Sequence, residues 1–185
     1  MRSIPPASFA RGLVLGAVGV ACSLAAHAAG DKAAYEKARS SARSSYEAAV
    51  KRCEAVAGNA KDICVAEANE ARTKAEAHAE AAYQDTPKAR AHAVEQIAEA
   101  HYKVDRERCD DRKGNDRDVC IKVAKAALVR AKSDAKVTRV ANDARIDAAK
   151  DKREADYSVA AEKCDALAGD ARSACVKNAK AKYGM

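Results

Sequence analysis

The chain has 185 residues and a formal net charge of +7, with 34 basic and 27 acidic residues mixed along its length. Such mixing is typical of solvated helix surfaces and argues against the concentrated basic stripe of a nucleic-acid-binding protein. Large apolar side chains are sparse: there is no Trp, and the single Phe is Phe9. A thick globular core is therefore excluded. Thin helix-on-helix packing through Ala is allowed but weak, because burial contributes only about 25 cal/mol per Å2.

Residues 1–28 have the pattern of a secretory signal peptide. The pattern consists of two arginines without acidic residues, an apolar run and a small-x-small cleavage site, which are Arg2 and Arg11, residues 12–26, and Ala26-His27-Ala28. We expect cleavage near Ala28, which leaves residues 29–185 as one Ala-rich helical repeat domain. The alternatives are a retained membrane anchor, for which the apolar run is short, and a lipoprotein modified at Cys22.

Six further cysteines divide the rest of the chain into a threefold repeat. They form three pairs with the pattern C-x4-G-[ND]-x-[KR]-[DS]-x-C, which recurs after 56 and then 55 residues: Cys53 and Cys64, Cys109 and Cys120, Cys164 and Cys175. Self-similarity at a fixed period indicates a repeat architecture. The flanking segments are rich in Ala, Glu, Lys and Arg, which are strong helix formers, so each unit is predicted to be helical.

Each unit is predicted to be a helical hairpin with a glycine turn. Gly adopts left-handed backbone after a helix, and Asn and Asp cap the N-terminus of the next helix. The predicted turn residues are Gly58 and Asn59, Gly114 and Asn115, and Gly169 and Asp170. Asp62 and Asp118, three residues past their caps, are expected to complete capping boxes.

The hairpin brings the two cysteines of each pair together. In one continuous helix they would lie roughly 16 Å apart, which is too far for a disulfide. Folding back with local pairing is therefore the preferred prediction, and pairing between chains is the alternative. An exported protein reaches an oxidising compartment, where such bonds persist. Each closed loop contributes roughly 3 kcal/mol in the chain-entropy description.

A tyrosine precedes the first cysteine of each pair by seven residues: Tyr46, Tyr102 and Tyr157. Two helical turns separate the two positions, so each ring shares a helix face with its cysteine. The matching position across the hairpin is Ala71 in the first unit, Ala127 in the second and Lys182 in the third. The first two rings are predicted to pack over a small side chain.

The fold class is predicted to be all-α, an elongated array of disulfide-stapled antiparallel helical hairpins. Thr86 and Pro87 form a helix start, since Thr caps and Pro suits the first helical position. The repeat units are placed at about 31–84, 87–140 and 141–185. The predicted helices are 31–57, 60–84, 87–113, 116–168 and 170–183. The fourth helix either runs unbroken or breaks near Ser133-Asp134 or Asn142-Asp143, and the sequence leaves this open.

An apolar stripe lies within the third predicted helix. Val94, Ile97, His101 and Val104 follow heptad spacing, which predicts packing against a partner helix. The partner is either another helix of this chain or a second copy in a homo-oligomer.

The sequence offers no catalytic constellation, so an enzyme is not expected. Ten residues between paired cysteines do not fit thiolate metal ligands, and His92 and His101 do not share a helix face. No cofactor and no nucleic-acid partner are expected. The basic pI of about 9.0 makes an anionic envelope polymer or surface, such as peptidoglycan or anionic lipid, the better electrostatic partner.

The Ala- and Lys-rich helical body, in segments such as AEANEARTKAEAHAEAAY and AKAALVRAKSDAKVTRVANDARIDAAKDKREAD, resembles the central periplasmic region of TolA-like cell-envelope proteins. The cysteine-hairpin repeat resembles uncharacterised exported proteins of proteobacteria that sometimes carry a TolA-like label. The resemblance covers most of the chain after residue 28 and is one of composition. We expect the chain to depart from TolA in a cleavable N-terminal segment, in three stapled hairpins and in having no separate C-terminal globular domain. The resemblance implies a periplasmic location rather than an activity.

These features predict a non-enzymatic periplasmic protein with a structural or interaction role in the cell envelope. A stress-related binding or chaperone-like protein is the second hypothesis, and metal or redox binding through Cys and His is the third. The number of free thiols separates the third hypothesis from the others.

Overall fold

A computed structural model describes residues 30–185, which contain five helices and no strand. The helices are α1 (Lys32–Cys53), α2 (Asn59–Gln84), α3 (Pro87–Cys109), α4 (Gly114–Cys164) and α5 (Gly169–Tyr183). The predicted all-α array of stapled hairpins is confirmed. The predicted signal peptide at 1–28 and the alternatives for it lie outside the described residues.

Each helix packs only against its neighbours along the chain: α1 on α2, α2 on α3, α3 on α4, and α4 on α5. No other pair of helices within residues 30–185 comes into contact. The fold is therefore a serial array, in which each helix is held by at most two others.

The first helix of each hairpin ends at its cysteine, four residues earlier than the sequence predicted. After Cys53 the backbone closes with bonds over three residues, from the Glu54 amide to the Lys51 carbonyl and from the Ala55 amide to the Arg52 carbonyl. This tighter last turn satisfies the free carbonyls of the helix end. The glycine therefore comes five residues after the helix end, and the predicted role as its stop is wrong.

The turn glycines instead begin the second helix of each hairpin. Gly58, Gly114 and Gly169 have φ angles of +60°, +54° and +57°, which favour glycine because a Cβ is strained there. Gly58 is itself the N-cap of α2 and carries no side chain that bonds the helix amides. The predicted N-cap roles of Asn59, Asn115 and Asp170 are therefore wrong, since these residues lie inside the helices.

The third helix starts as predicted. The Thr86 side chain accepts a hydrogen bond from the Ala89 amide at 3.0 Å, and Pro87 occupies the first helical position. The preceding helix ends at Gln84, with Asp85 in left-handed conformation at φ 45°.

The fourth helix is one unbroken rod of 51 residues, about 75 Å long at 1.5 Å per residue. The two breaks that the sequence left open do not occur. This helix forms one hairpin with α3 and a second with α5, so the expected unit boundary at 140–141 falls inside it. Residues 144–156 are exposed on every side.

The buried side chains are small. Among the described residues they are alanines, joined by Cys53, Cys109, Cys164, Val104 and Leu128, and no polar residue is buried. The densest cluster joins Ala77 and Ala81 of α2 to Ala93 of α3, with Ile97 beside it. Alanine brings the helix axes close together but buries little area per residue, as the composition predicted.

Candidate functional site

Three disulfides close the hairpins at the predicted positions. Cys53 pairs with Cys64, Cys109 with Cys120 and Cys164 with Cys175, at Cα–Cα distances of 5.6, 5.7 and 5.6 Å. The first cysteine of each pair ends its helix and is fully buried, whereas its partner is half-buried one and a half turns into the next helix. All six sulfurs are therefore bonded to each other rather than free as thiolates.

The second and the third hairpin turn are each spanned by an ion pair. Arg117 donates two hydrogen bonds to Asp110 Oδ1, at 2.8 and 2.6 Å, and Arg172 binds Asp165 in the same way at 3.1 and 2.6 Å. The sequence reasoning did not assign this contact. Its signal was present, because an acidic residue follows the first cysteine and a basic residue lies three positions after the glycine in every unit.

Asn59 links the tips of the first two hairpins. Its side-chain amide donates to the Glu107 carbonyl oxygen at 2.8 Å and to Asp111 Oδ1 at 2.7 Å. The equivalent Asn115 is exposed in α4. Along that helix, Cys164 of the third disulfide lies about 66 Å beyond Cys120 of the second at 1.5 Å per residue. The first two disulfides therefore lie together at one end of the described array, and the third disulfide lies apart from them.

The three repeat tyrosines are half-buried. Tyr46 lines one cavity together with Ala71, and Tyr102 lines another with Ala127. A cation also lies over each of these rings, Arg72 at 4.4 Å from the Tyr46 ring centre and Lys125 at 5.4 Å from the Tyr102 ring centre. Such contacts contribute about 0.5–1 kcal/mol at exposed sites. Tyr157 is half-buried in α4.

Two stacked tyrosines join α1 to α2 at the end of the first hairpin that lies away from its turn. Tyr35 and Tyr83 stack with ring centres 4.9 Å apart. A hydrogen bond to Glu80 raises the pKa of the Tyr35 hydroxyl and lowers the pKa of the Glu80 carboxyl. Sequence reasoning missed this pair, although the two tyrosines lie almost equally far from the turn, on opposite sides of it.

The predicted heptad stripe of α3 packs within the chain. Val104 is fully buried, and Ile97 packs against the alanine cluster shared with α2. Val94 remains 45% exposed at the mouth of a groove of about 450 Å3 between α3 and α4. Apolar side chains dominate this groove, including Val94, Ile97, Tyr102 and Leu128.

Charged groups line one rim of the groove and join α2 to α3. His101 Nδ1 lies 2.9 Å from Glu70 Oε1, and His101 Nε2 lies 3.5 Å from Asp105 Oδ2. Arg108 continues the network to Glu67 at 2.7 Å, and that hydrogen bond raises the Arg108 pKa. His101 thus contacts carboxylates of two helices, a position that heptad spacing alone did not indicate.

An ion pair between Glu99 and Lys132 connects α3 to α4. The hydrogen bond lowers the pKa of Glu99 and raises the pKa of Lys132. The carboxylate's stabilising contribution is complete above the unfolded Glu pKa of about 4.3 and is lost as pH falls through the lower folded value. The ammonium's contribution is complete below about pH 10.4 and is lost as pH rises through the higher folded value.

We expect Lys132→Met to lower the Tm by about one or two degrees at neutral pH and low salt, because exposed pairs contribute little. The difference from the unsubstituted protein should vanish at high salt, where the charges are screened, and below the folded pKa of Glu99. Thermal melts followed by circular dichroism measure this. Lys152→Met, at an exposed lysine of the same helix, serves as the control, and an equal loss in that variant would contradict the assignment.

The described residues hold no group of three or more His, Cys, Asp or Glu side chains placed to bind a metal ion. None of the helices in residues 30–185 is long and apolar enough to cross a membrane. The arrangement thus offers three disulfides, a long exposed helix and an apolar groove with a charged rim.

These features define the class as an all-α serial array of disulfide-stapled helical hairpins. Comparison of the chain with protein-family models, with curated proteins and with solved structures found no match.

Proposed function

We propose that this is a non-enzymatic structural or interaction protein of the cell envelope, which works in the periplasm as an extended helical scaffold. The serial packing of the helices carries the proposal. Because each of the five described helices contacts only its chain neighbours, the array presents long exposed helix faces. A 51-residue helix gives it the reach of a spacer.

The disulfides support export. Three bonds within about 120 residues are typical of proteins that fold in oxidising compartments. They also suit a fold whose buried residues are mostly alanine, because covalent closure stabilises what little apolar burial there is. The signal-peptide pattern of residues 1–28 points in the same direction.

The charge pattern supports an anionic partner in the envelope, such as peptidoglycan or an anionic lipid surface. Helix α5 carries Lys177, Lys180 and Lys182, all exposed, with Asp170 as its single acidic residue. Since α5 lies at the far end of α4, this basic surface is separated from the first two clasps. A scaffold of this kind can bind a polymer through α5 and leave the end that carries the first two disulfides exposed.

The groove between α3 and α4 favours a second candidate, a stress-related binding or chaperone-like role. Its apolar lining and charged rim fit a short apolar segment of a client protein. The two candidates differ in what binds, since a scaffold associates with a polymer through its surface charges and a chaperone suppresses aggregation of unfolded proteins.

Small-angle scattering of the oxidised protein tests the scaffold proposal. A compact chain of this size has a radius of gyration of about 15 Å, and we expect a clearly larger value because α4 alone extends about 75 Å. Co-sedimentation with purified sacculi, and with anionic against neutral vesicles, then identifies the partner. A compact particle would contradict the proposal, and suppression of client aggregation without polymer binding would favour the second candidate.

A further inference from the structure

One face of α4 is left uncovered by the other four helices that the structure describes. The face towards α3 carries the buried residues Ala124, Leu128 and Ala135. The opposite face exposes β-branched side chains, with Val119, Val123, Val137 and Val140 between 49% and 67% exposed.

Helix α5, which packs against the other end of α4, does not cover this face either. The last residues of α5, Lys182 and Tyr183, share a cavity with Asp156 of α4. Because α5 runs antiparallel to α4 from the third disulfide, it reaches back only to about that residue. Among the helices of residues 30–185, the stretch 119–144 of α4 thus has α3 as its single neighbour.

The exposed face has coiled-coil spacing. Successive positions are separated by four, three, four, three, four, three and four residues, and all are exposed: Val119, Val123, Ala126, Arg130, Ser133, Val137, Val140 and Ala144. We call these eight residues the α4 seam. An alternation of three and four over this length is the pattern that keeps one stripe against a partner helix. Single exposed valines are common, but six exposed apolar residues at coiled-coil positions on either side of a polar centre are not.

The spacing of the seam reads the same in both directions, so a second copy can lie against it in antiparallel orientation. Val119 then faces Ala144 of the second copy, Val123 faces Val140, and Ala126 faces Val137. In the centre Arg130 faces the small Ser133, twice by symmetry. Each large side chain on the outer layers meets a small or matching one, as interdigitating packing requires.

Charges flanking the seam are complementary in this orientation. Arg130 comes within one residue's height of Asp134 of the other copy, and this opposite-charge combination occurs twice. In a parallel pair Arg130 would face Arg130 of the other copy at the same height, whereas the antiparallel pair offsets the two arginines by three residues, about 4.5 Å along the axis. Like-charge contacts disfavour the wrong orientation, and the antiparallel one is therefore selected.

From this self-complementarity we infer that the protein forms a symmetric dimer, in which the α4 seams of two copies pack as an antiparallel coiled coil. The contact strip is about 38 Å long at 1.5 Å per residue and has polar residues at its centre. The dimer is accordingly reversible rather than obligate. It places the third disulfides of the two copies at opposite ends, about 98 Å apart along the paired helices at 1.5 Å per residue.

Sedimentation equilibrium of the oxidised protein over a wide concentration range tests the dimer. The variant Val123→Glu/Val137→Glu is expected to weaken association by more than about a hundredfold, because each dimer would bury four additional carboxylates. Ile146→Glu is the matched control: Ile146 is 53% exposed on the same helix but lies off the seam. A monomer at every concentration, or equal association of both variants, would overturn the inference.

Crosslinking tests the orientation. An equimolar mixture of Ala126→Cys and Val137→Cys proteins, treated with a short thiol crosslinker while the native disulfides stay oxidised, is expected to give mixed dimers. Each variant alone should give little product. A parallel dimer would join residue 126 to residue 126 and crosslink each single variant with itself, which would refute the antiparallel seam.

Discussion

Replacing both cysteines of the third disulfide, in Cys164→Ala/Cys175→Ala, is expected to unfold α5 while α1 to α4 stay folded. The helix has 15 residues, a length at which isolated helices are marginal in water. Among the helices of residues 30–185 it contacts α4 alone, and its single buried residue is Ala179. The third disulfide contributes about 3 kcal/mol through chain entropy. Without it, the packing against α4 is too weak to keep α5 folded.

Hydrogen exchange measured by mass spectrometry checks this prediction. Protection of residues 169–183 should fall to that of an unfolded segment, and the helical circular dichroism signal should drop by a matching share. The matched control is Cys53→Ala/Cys64→Ala, where 22 and 26 residues pack side by side and α3 supports α2. That hairpin should lose stability but remain protected. Native-like protection of α5 without its disulfide would show that packing alone holds it.

Substitution Ala93→Leu is expected to destabilise the array by about 1–3 kcal/mol, the usual range for overpacking. Ala93 is 4% exposed and faces Ala77 and Ala81 across the α2–α3 interface. Added methyl groups force these two helices apart, and α3 also supports α4. The disturbance thus reaches both sides of the most central helix.

Urea unfolding followed by circular dichroism measures the loss. Ala148→Leu is the control, since Ala148 is exposed on α4 and Leu is nearly as good a helix former as Ala. The control should unfold at nearly the same urea concentration as the unsubstituted protein. An Ala93→Leu protein that is as stable as the control would mean that the alanine interface has room for larger side chains.

Much of the fold followed from local sequence. The Cys-x10-Cys spacing and the helix-forming flanks predicted the hairpins and their disulfide pairing, because only a folded-back chain brings residues eleven apart within bonding distance. Thr86 and Pro87 predicted the start of α3 for a similarly local reason. The turn was predicted less well: Gly58 was placed correctly at a positive φ, but it begins a helix instead of ending one.

The candidate site was only partly predictable. The tyrosines Tyr46 and Tyr102 lie at their hairpin interfaces, whereas Asn59, expected as a helix cap, binds the tip of the next hairpin. That contact joins residues 48 and 52 positions apart, and no local pattern encodes such a distance. The ion pair between Asp110 and Arg117 was encoded in the repeat, but only the geometry of the turn made it recognisable.

What the sequence by itself determined is the stapled hairpin, since the glycine, the paired cysteines and the helix formers act within about a dozen residues of one another. Only the tertiary structure decided how the hairpins are joined. Helix α4 runs unbroken through two of them because no Gly or Pro interrupts residues 115–164 and α3 supports its first half. Which face of α4 is buried depends on where α3 lies, and the position of α3 leaves the α4 seam exposed.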